Sequence, residues 1–457
     1  MSGQAILAIP EVAGLDAKGG LVRIPPELDV PLTDRVRAII DTAEFRRLAR
    51  ISQLGLVSLV YPAALHTRFE HSLGVYRLAL RLLKQLAYHR PFTQRVSAEE
   101  AELLIAAALV HDIGHWPFCH LIEEMHLPGV PTHERFAESF LLQTELAEVL
   151  RHDWHLEPRE IVALLSGGAE APSRRLLASI LSGPIDIDKM DYLFRDSLHA
   201  GVPYGRNYDQ QRLIGSFCLN AAEDGLAITD KGKTAAEMLV FARYVMFSEV
   251  YWHHGVRSAT AMLQRAFFLV YEKLDLDRLF RLSETELIQQ LQAAADSPAA
   301  ELLEGLFGPK RRLYKRLAQI SFLERPALYR RLAHRPYPWL AACAENLAHR
   351  LSEYLGQPIP AHEILLDAPP VKRETPLRID VWYRKEGRYR SLQEASPVAQ
   401  ALAPEQFDDY VKRVRVFGHP RLVPLIGQPG LVEELLAQAA EQMGSASESG
   451  YPYKNTP

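Results

Sequence analysis

Residues 97–120 constrain the fold most. Ser97 and Glu100 stand in the spacing of a capping box, with a side chain and a backbone N–H exchanged at the helix start. They precede AELLIAAALVHD, whose apolar residues recur at three- and four-residue intervals. Gly114 and Pro117 then forbid much continuation. The spacing therefore predicts a buried helix ending close to His111 and Asp112, with that pair at its C-terminus and a loop beyond.

The same period runs through LGVYRLALRLLKQLA and most of the first 340 residues. Residues 234–273 read as one or two long buried helices. Texture changes after about residue 360. LRIDVWYR, KEG and RYRSL read as a β-hairpin, with Leu377, Ile379, Val381 and Tyr383 alternating on one strand face. A helix near 398–410, the strand-like VKRVRVFGH and a final helix over 430–443 follow. The expected fold is mainly α: a helical core over 30–335, a smaller α+β region over 336–445 and a disordered tail over 446–457.

Composition excludes several classes. A formal net charge of −4 gives no global attraction to nucleic acid. Three cysteines, Cys119, Cys218 and Cys343, are too few and too scattered for a disulfide framework or a cysteine zinc site. No basic leader segment and no membrane-length apolar run is visible, so the expectation is a cytoplasmic protein without a membrane partner. PKRRLYKR (309–316) and YVKRVRVFGHPR (410–421) are the basic patches. They read first as solvated faces, with a nucleotide-effector or single-stranded nucleic-acid site as the minor reading.

Three segments are dense in metal-ligand and acid–base groups. ALVHDIGHWPFCH places His111, Asp112, His115 and His120 within ten positions at the end of an apolar helix. Neutral imidazole with carboxylate suits a divalent ion; dipole-capping histidines with a turn aspartate are the bland reading. HTRFEHSLGVYRLA supplies His66, Arg68, Glu70 and His71 before a helix. In PIDIDKMDYLFRDSLHAG, a helix from Asp188 would put Tyr192 and Asp196 on the same face. His253 and His254 lie in an apolar stretch, where histidines are more often structural.

In motif order, HTRFEHSLGV, LVHDIGHWPFCH and DIDKMDYLFRDS resemble the HD-domain phosphohydrolases, and within them the deoxynucleoside triphosphate triphosphohydrolase branch. The resemblance runs from about Asp41 to Arg212. It implies an all-helical HD-domain core with His71, His111, Asp112 and Asp188 holding a divalent metal ion (Mn, Fe, Mg, Ni or Zn). It implies phosphate or proton-transfer roles for His115, His120 and His133, with Glu134 as a paired acid. His120 is the expected general acid, with His133–Glu134 the alternative. Arg68 and Lys189 are the expected phosphate clamps. Gln53, Leu54, Tyr192 and Asp196 match positions around the deoxyribose.

The resemblance further implies a nucleotide substrate, hydrolysis to a deoxynucleoside and tripolyphosphate, and a homo-oligomer. A nucleoside monophosphate or another phosphate ester is the second enzymatic expectation, and a nucleotide sensor or nucleic-acid-binding regulator the one from another class. The activator segment is altered in IIDTAEFRRLARISQLG. Asp41 is kept, but Arg46 stands where a glutamine is usual, Ala49 replaces a phosphate-binding arginine, and the preceding DPxHG turn is absent. Constitutive or differently regulated activity is the expectation.

Overall fold

The computed structural model describes residues 2–168, 170–371, 378–401 and 407–446. Leu377 and the expected tail beyond 446 lie outside these residues, as do 402–406 in the middle of the helix expected near 398–410. The described chain is mainly helical with three small sheets.

The site rests on five helices. Thr67 caps α1, Arg68–Leu86, by accepting from the Glu70 N–H. Ser97 and Glu100 form the expected capping box on α2, Ala98–Val110, and His111 is its C-cap residue. The inner positions of α2 are fully buried, Leu104 among them, so Leu104→Ala would cost about 2–5 kcal/mol. The short α3, Cys119–Glu123, starts after Phe118, whose left-handed φ of 59° turns the chain sharply out of the His-Asp loop. Thr132 caps α4, His133–Gln143. Asp186 caps α5, Ile187–His199, by accepting from the Lys189 N–H at 2.6 Å.

Two close approaches depend on glycine. A side chain on Gly74 of α1 would overlap the Asp191 carboxylate and the Arg195 guanidinium of α5. One on Gly114 would overlap the His133 carbonyl and Ala137, so Gly114 lets α4 dock onto the loop after α2.

The stretch expected as one or two long helices is α6, Lys233–Met246, and α7, His254–Val270, separated by a wider π-type turn over Phe247–Tyr251. That turn re-aims Tyr251 toward α5, as its contacts below show.

Strands β1, Leu21–Ile24, and β2, Leu28–Pro31, form an N-terminal hairpin. The pair β3, Phe217–Leu219, and β4, Leu226–Thr229, continues into β7, Asp380–Tyr383, and β8, Arg388–Ser391, because β4 and β7 run parallel. The expected hairpin is thus present as β7–β8, and it extends a sheet of the helical core.

The two basic runs meet in a third sheet. β5, Lys315–Ile320, and β6, Ile364–Asp367, flank β9, Val414–Gly418, both antiparallel to it. Alternation places Val414 and Val416 in a second core with Leu340, Leu347, Ile364 and Leu436. Phe417 and Leu365 face the main core instead. This sheet is therefore the wall between the two cores.

Candidate metal centre

His71 of α1, His111 and Asp112 after α2, and Asp188 of α5 converge where the three helices meet. His71 Nε2 lies 3.0 Å from Asp188 Oδ1, 3.3 Å from His111 Nε2 and 3.9 Å from Asp112 Oδ2. His111 Nε2 is 3.4 Å from Asp112 Oδ1 and 3.7 Å from Asp188 Oδ1. Ligand atoms of His71, His111 and Asp188 all fall within 4.8 Å of one another.

The hydrogen bonds behind these rings test whether a cation fits. His71 Nδ1 donates to Asp191 Oδ2 at 2.8 Å, and His111 Nδ1 donates to the Ala108 carbonyl at 2.9 Å. Both acceptors lack protons, so both neutral rings carry their hydrogens on Nδ1 and turn bare Nε2 lone pairs toward each other. Two lone pairs at that distance, flanked by the buried Asp112 and the partly exposed Asp188, call for a shared positive charge. A divalent ion fits that demand, and this outer fixing of the tautomer is how metal-binding imidazoles are oriented.

Without a metal, protons take its place. Burial alone would lower His71, but its bonds to Asp188 and Asp191 and the Asp112 charge raise it to about 10. Burial likewise opposes ionisation of Asp112 and Asp188. For Asp112 the charges of Arg68 and of His111, His71 and His133 win, and for Asp188 those of His111 and His71 do; both carboxylates sit far below the usual range.

Arg68 Nη1 donates to Asp112 Oδ2 at 2.7 Å, and its buried Nε has no hydrogen-bond partner among the described residues. Lys189, the other expected phosphate clamp, holds the Asp186 carboxylate at 2.6 Å and the Gly183 carbonyl at 3.0 Å with its ammonium. It is thereby engaged at the base of α5.

Next to the cage, the His115 ring sits 3.9 Å from that of His133 and 5.0 Å from that of His120. His115 Nδ1 is 3.1 Å from Asp112 Oδ1. Burial, and then the neighbouring cations, hold His115 well below its ordinary value, so it stays neutral. The His120 side chain is 58% exposed, at an open edge where protons can exchange with water. His133 binds Glu123 with both its backbone N–H and Nδ1, at 2.6 and 2.9 Å, while its Nε2 is 3.4 Å from Glu134. Ligand atoms of His115, His120 and His133 also lie within 4.8 Å of one another.

On α5, eight residues beyond Asp188, Asp196 accepts from the Tyr251 hydroxyl at 2.6 Å and pairs with His66 Nε2 at 2.9 Å. Tyr192 packs half-buried against the core on the same helix. The Gln53 N–H donates to the His66 carbonyl, and its buried side-chain oxygen has no partner among the described residues. Leu54 is half-buried at the start of the following 3-10 turn. His253 caps α7 through the Gly255 N–H and lies against Tyr61, with His254 beside it.

Several groups at the site carried no expectation from sequence. Asp191, between His71 and Arg195, is the main one: Arg195 grips it through Nε and NH2, each at 2.8 Å, and reaches Glu70 at 2.5 Å. Glu123, Tyr251 and His199, which stacks on His66 and bonds Glu70 at 2.9 Å, are the others. The available signal was the four-residue interval from Asp191 to Arg195, a common surface pattern.

Residues 68–196 match the HD domain model, and residues 208–420 match the HD associated region. An uncharacterized Bacillus subtilis protein is 35% identical over 58% of the chain, a match that spans only 63% of that relative's length. An uncharacterized protein of Methanocaldococcus jannaschii is 31% identical over 83% of the chain and 75% of its own. The bovine deoxynucleoside triphosphate triphosphohydrolase SAMHD1 is 30% identical over 47% of the chain and 43% of its own. A solved hypothetical protein from Aquifex aeolicus superposes with a TM-score of 0.68 at 28% identity, covering 89% of this chain and 98% of its own. The chain belongs to the HD-domain phosphohydrolase superfamily and, within it, resembles the deoxynucleoside triphosphate triphosphohydrolases.

Proposed function

We propose that the protein hydrolyses deoxynucleoside triphosphates to deoxynucleoside and tripolyphosphate, with a divalent metal held by His71, His111, Asp112 and Asp188. The observation that carries this reading is a His-Asp cage with a histidine cluster beside it, one imidazole of which is exposed, and with the Asp196–Tyr251–His66 group on the helix that also carries Asp188. A bound metal supplies Lewis-acid polarisation of a phosphate oxygen and an acidified water.

The chain's own groups supply the rest. Arg68 and the histidines present positive charge and N–H donors to phosphate oxygens. His120, open to solvent and backed by Glu123, is the proton donor to the leaving oxygen. Asp196 and the Tyr251 hydroxyl offer an acceptor and a hydroxyl to a sugar hydroxyl, and Tyr192 lends its ring. The similarity to triphosphohydrolases of Bos taurus and Dictyostelium discoideum supports the nucleotide assignment. Cytoplasmic location and assembly as a homo-oligomer go with this reading; among the described residues no helix is long and apolar enough to cross a membrane.

The test is incubation of metal-loaded protein with deoxynucleoside triphosphates, ribonucleoside triphosphates and nucleoside monophosphates, with phosphorus NMR of the products. Tripolyphosphate with free deoxynucleoside is expected. Orthophosphate from monophosphates alone would move the substrate to another phosphate ester, and nucleotide binding without turnover would make the protein a sensor.

A further inference from the structure

The helix that carries His120 is held from the C-terminal part of the chain through one buried arginine. Arg257, in the first turn of α7, binds Asp367 at the end of β6 through Nε and NH2, with contacts of 3.1, 3.2 and 2.7 Å. Its NH1 and NH2 also reach Glu124 Oε2, each at 3.3 Å. Glu124 is the residue that ends α3, directly after Glu123. The Arg257 guanidinium lies 3.9 Å over the Trp252 ring and is nearly inaccessible to water. A buried guanidinium needs its charge matched, and neither carboxylate can be withdrawn cheaply.

Further contacts make this a two-point grip. Gln264 of α7, two helical turns on from Arg257, donates to the Leu121 carbonyl of α3 at 2.8 Å. Arg415, opposite Asp367 in the β6–β9 register, donates to the Trp252 carbonyl at 2.8 Å, and the Trp252 indole N–H donates to the Arg413 carbonyl at 3.1 Å. The sheet therefore fixes both ends of the Trp252–Arg257 turn, and that turn fixes the end of α3.

α3 has five residues and begins at a left-handed Phe118, so its own hydrogen bonds give it little rigidity. We infer that Arg257 and Asp367 are positioning residues: by clamping Glu124 they set the placement of α3, and with it the reach of His120 and Glu123 to the substrate. This rests on His120 being the proton donor of the proposed hydrolysis. It gives the C-terminal sheet a part in the reaction although none of its residues joins the histidine cluster.

Glu124→Gln is the primary variant because Glu124 is partly exposed and the variant keeps the side chain's size. It should lower kcat about tenfold with KM within twofold, since small misplacements of a reacting group cost this much. Metal content should stay at the wild-type value, while the melting temperature falls because Arg257 loses one of its two charged partners. In a His120→Ala background the same change should have less than about a twofold further effect, because coupled residues are non-additive. Asp367→Asn should behave like Glu124→Gln if it folds.

A readout independent of turnover is the nitrogen–proton NMR signal of the His120 imidazole in metal-free protein, which should shift or broaden in Glu124→Gln. Wild-type kcat and an unmoved His120 signal in that variant would overturn the inference, as would equal losses in the two backgrounds. If the wild type hydrolyses no phosphate ester, the proposed function falls. A moved His120 signal would then still uphold the clamp as the determinant of α3 placement.

Discussion

His71 and His111 point their Nε2 atoms at each other across 3.3 Å, and each ring is fixed from behind by an acceptor on its Nδ1. The acceptor behind His71 is Asp191. Asp191→Asn would leave all four proposed metal ligands in place and remove the charge that orients one of them. The expected result is a metal affinity about 10–100-fold weaker. Competition with a chromophoric chelator measures it; an unchanged affinity would make Asp191 a structural partner of Arg195 only.

Removal of the metal gives a sharper outcome. Exhaustive chelation should reduce hydrolysis to background, and activity should return on adding a divalent ion. Asp188→Ala should not be rescued at comparable ion concentrations, because it deletes the carboxylate that lies 3.0 Å from His71 Nε2 and 3.7 Å from His111 Nε2. Assays across Mn, Fe, Mg, Ni and Zn would rank the ions.

How much of this was legible in the sequence follows from how local each signal is. Ser97, Glu100 and Gly114 are adjacent in the chain to the helix they bound, so the placement of His111 at a C-terminus could be read directly. The β7–β8 hairpin could be read for the same reason. β5 could not, because its partner β9 lies about a hundred residues away and its run of Lys and Arg imitates a solvated segment. Tyr251 was hidden by the π-type turn, which breaks the period that a continuous helix over 234–273 would keep. Asp191 and Arg195 were hidden because an acid and a base four residues apart stabilise exposed helices too. The close approach of α1 at Gly74 packs against that pair and helps bury it.

That docking is itself testable. Gly74→Ala introduces one methyl group against the Asp191–Arg195 pair, a site with no spare volume. Overpacking of this kind costs about 1–3 kcal/mol. Because the displaced group is Asp191, metal affinity should fall together with the denaturation midpoint. Loss of stability with unaltered metal binding would separate the two.

Tyr251→Phe removes the hydroxyl that donates to Asp196 at 2.6 Å and leaves the ring. If this pair reads the sugar, kcat/KM for deoxynucleoside triphosphates should drop about tenfold, the loss of one buried bond to a charged group. Metal content should be unaffected. The ratio of deoxyribo- to ribonucleotide turnover should also change, and steady-state kinetics on matched substrate pairs would show it.

Glu123 offers a dependence on pH whose sign is fixed by its surroundings. Burial opposes its ionisation, but His120 and His133 outweigh that and hold the carboxyl well below its ordinary value of 4.5. A carboxyl depressed in the folded state stabilises the fold above its unfolded value and loses that contribution as pH falls toward the folded one. Glu123→Gln should therefore destabilise the protein by about 1–3 kcal/mol at pH 7, where a charged partner of two histidines is lost. The difference from wild type should hold down to about pH 5 and shrink steadily below 4.5. Urea denaturation at pH 7, 5 and 3.5 measures it. A gap that stayed constant through that range would assign the loss to packing and leave Glu123 without an electrostatic hold on His133.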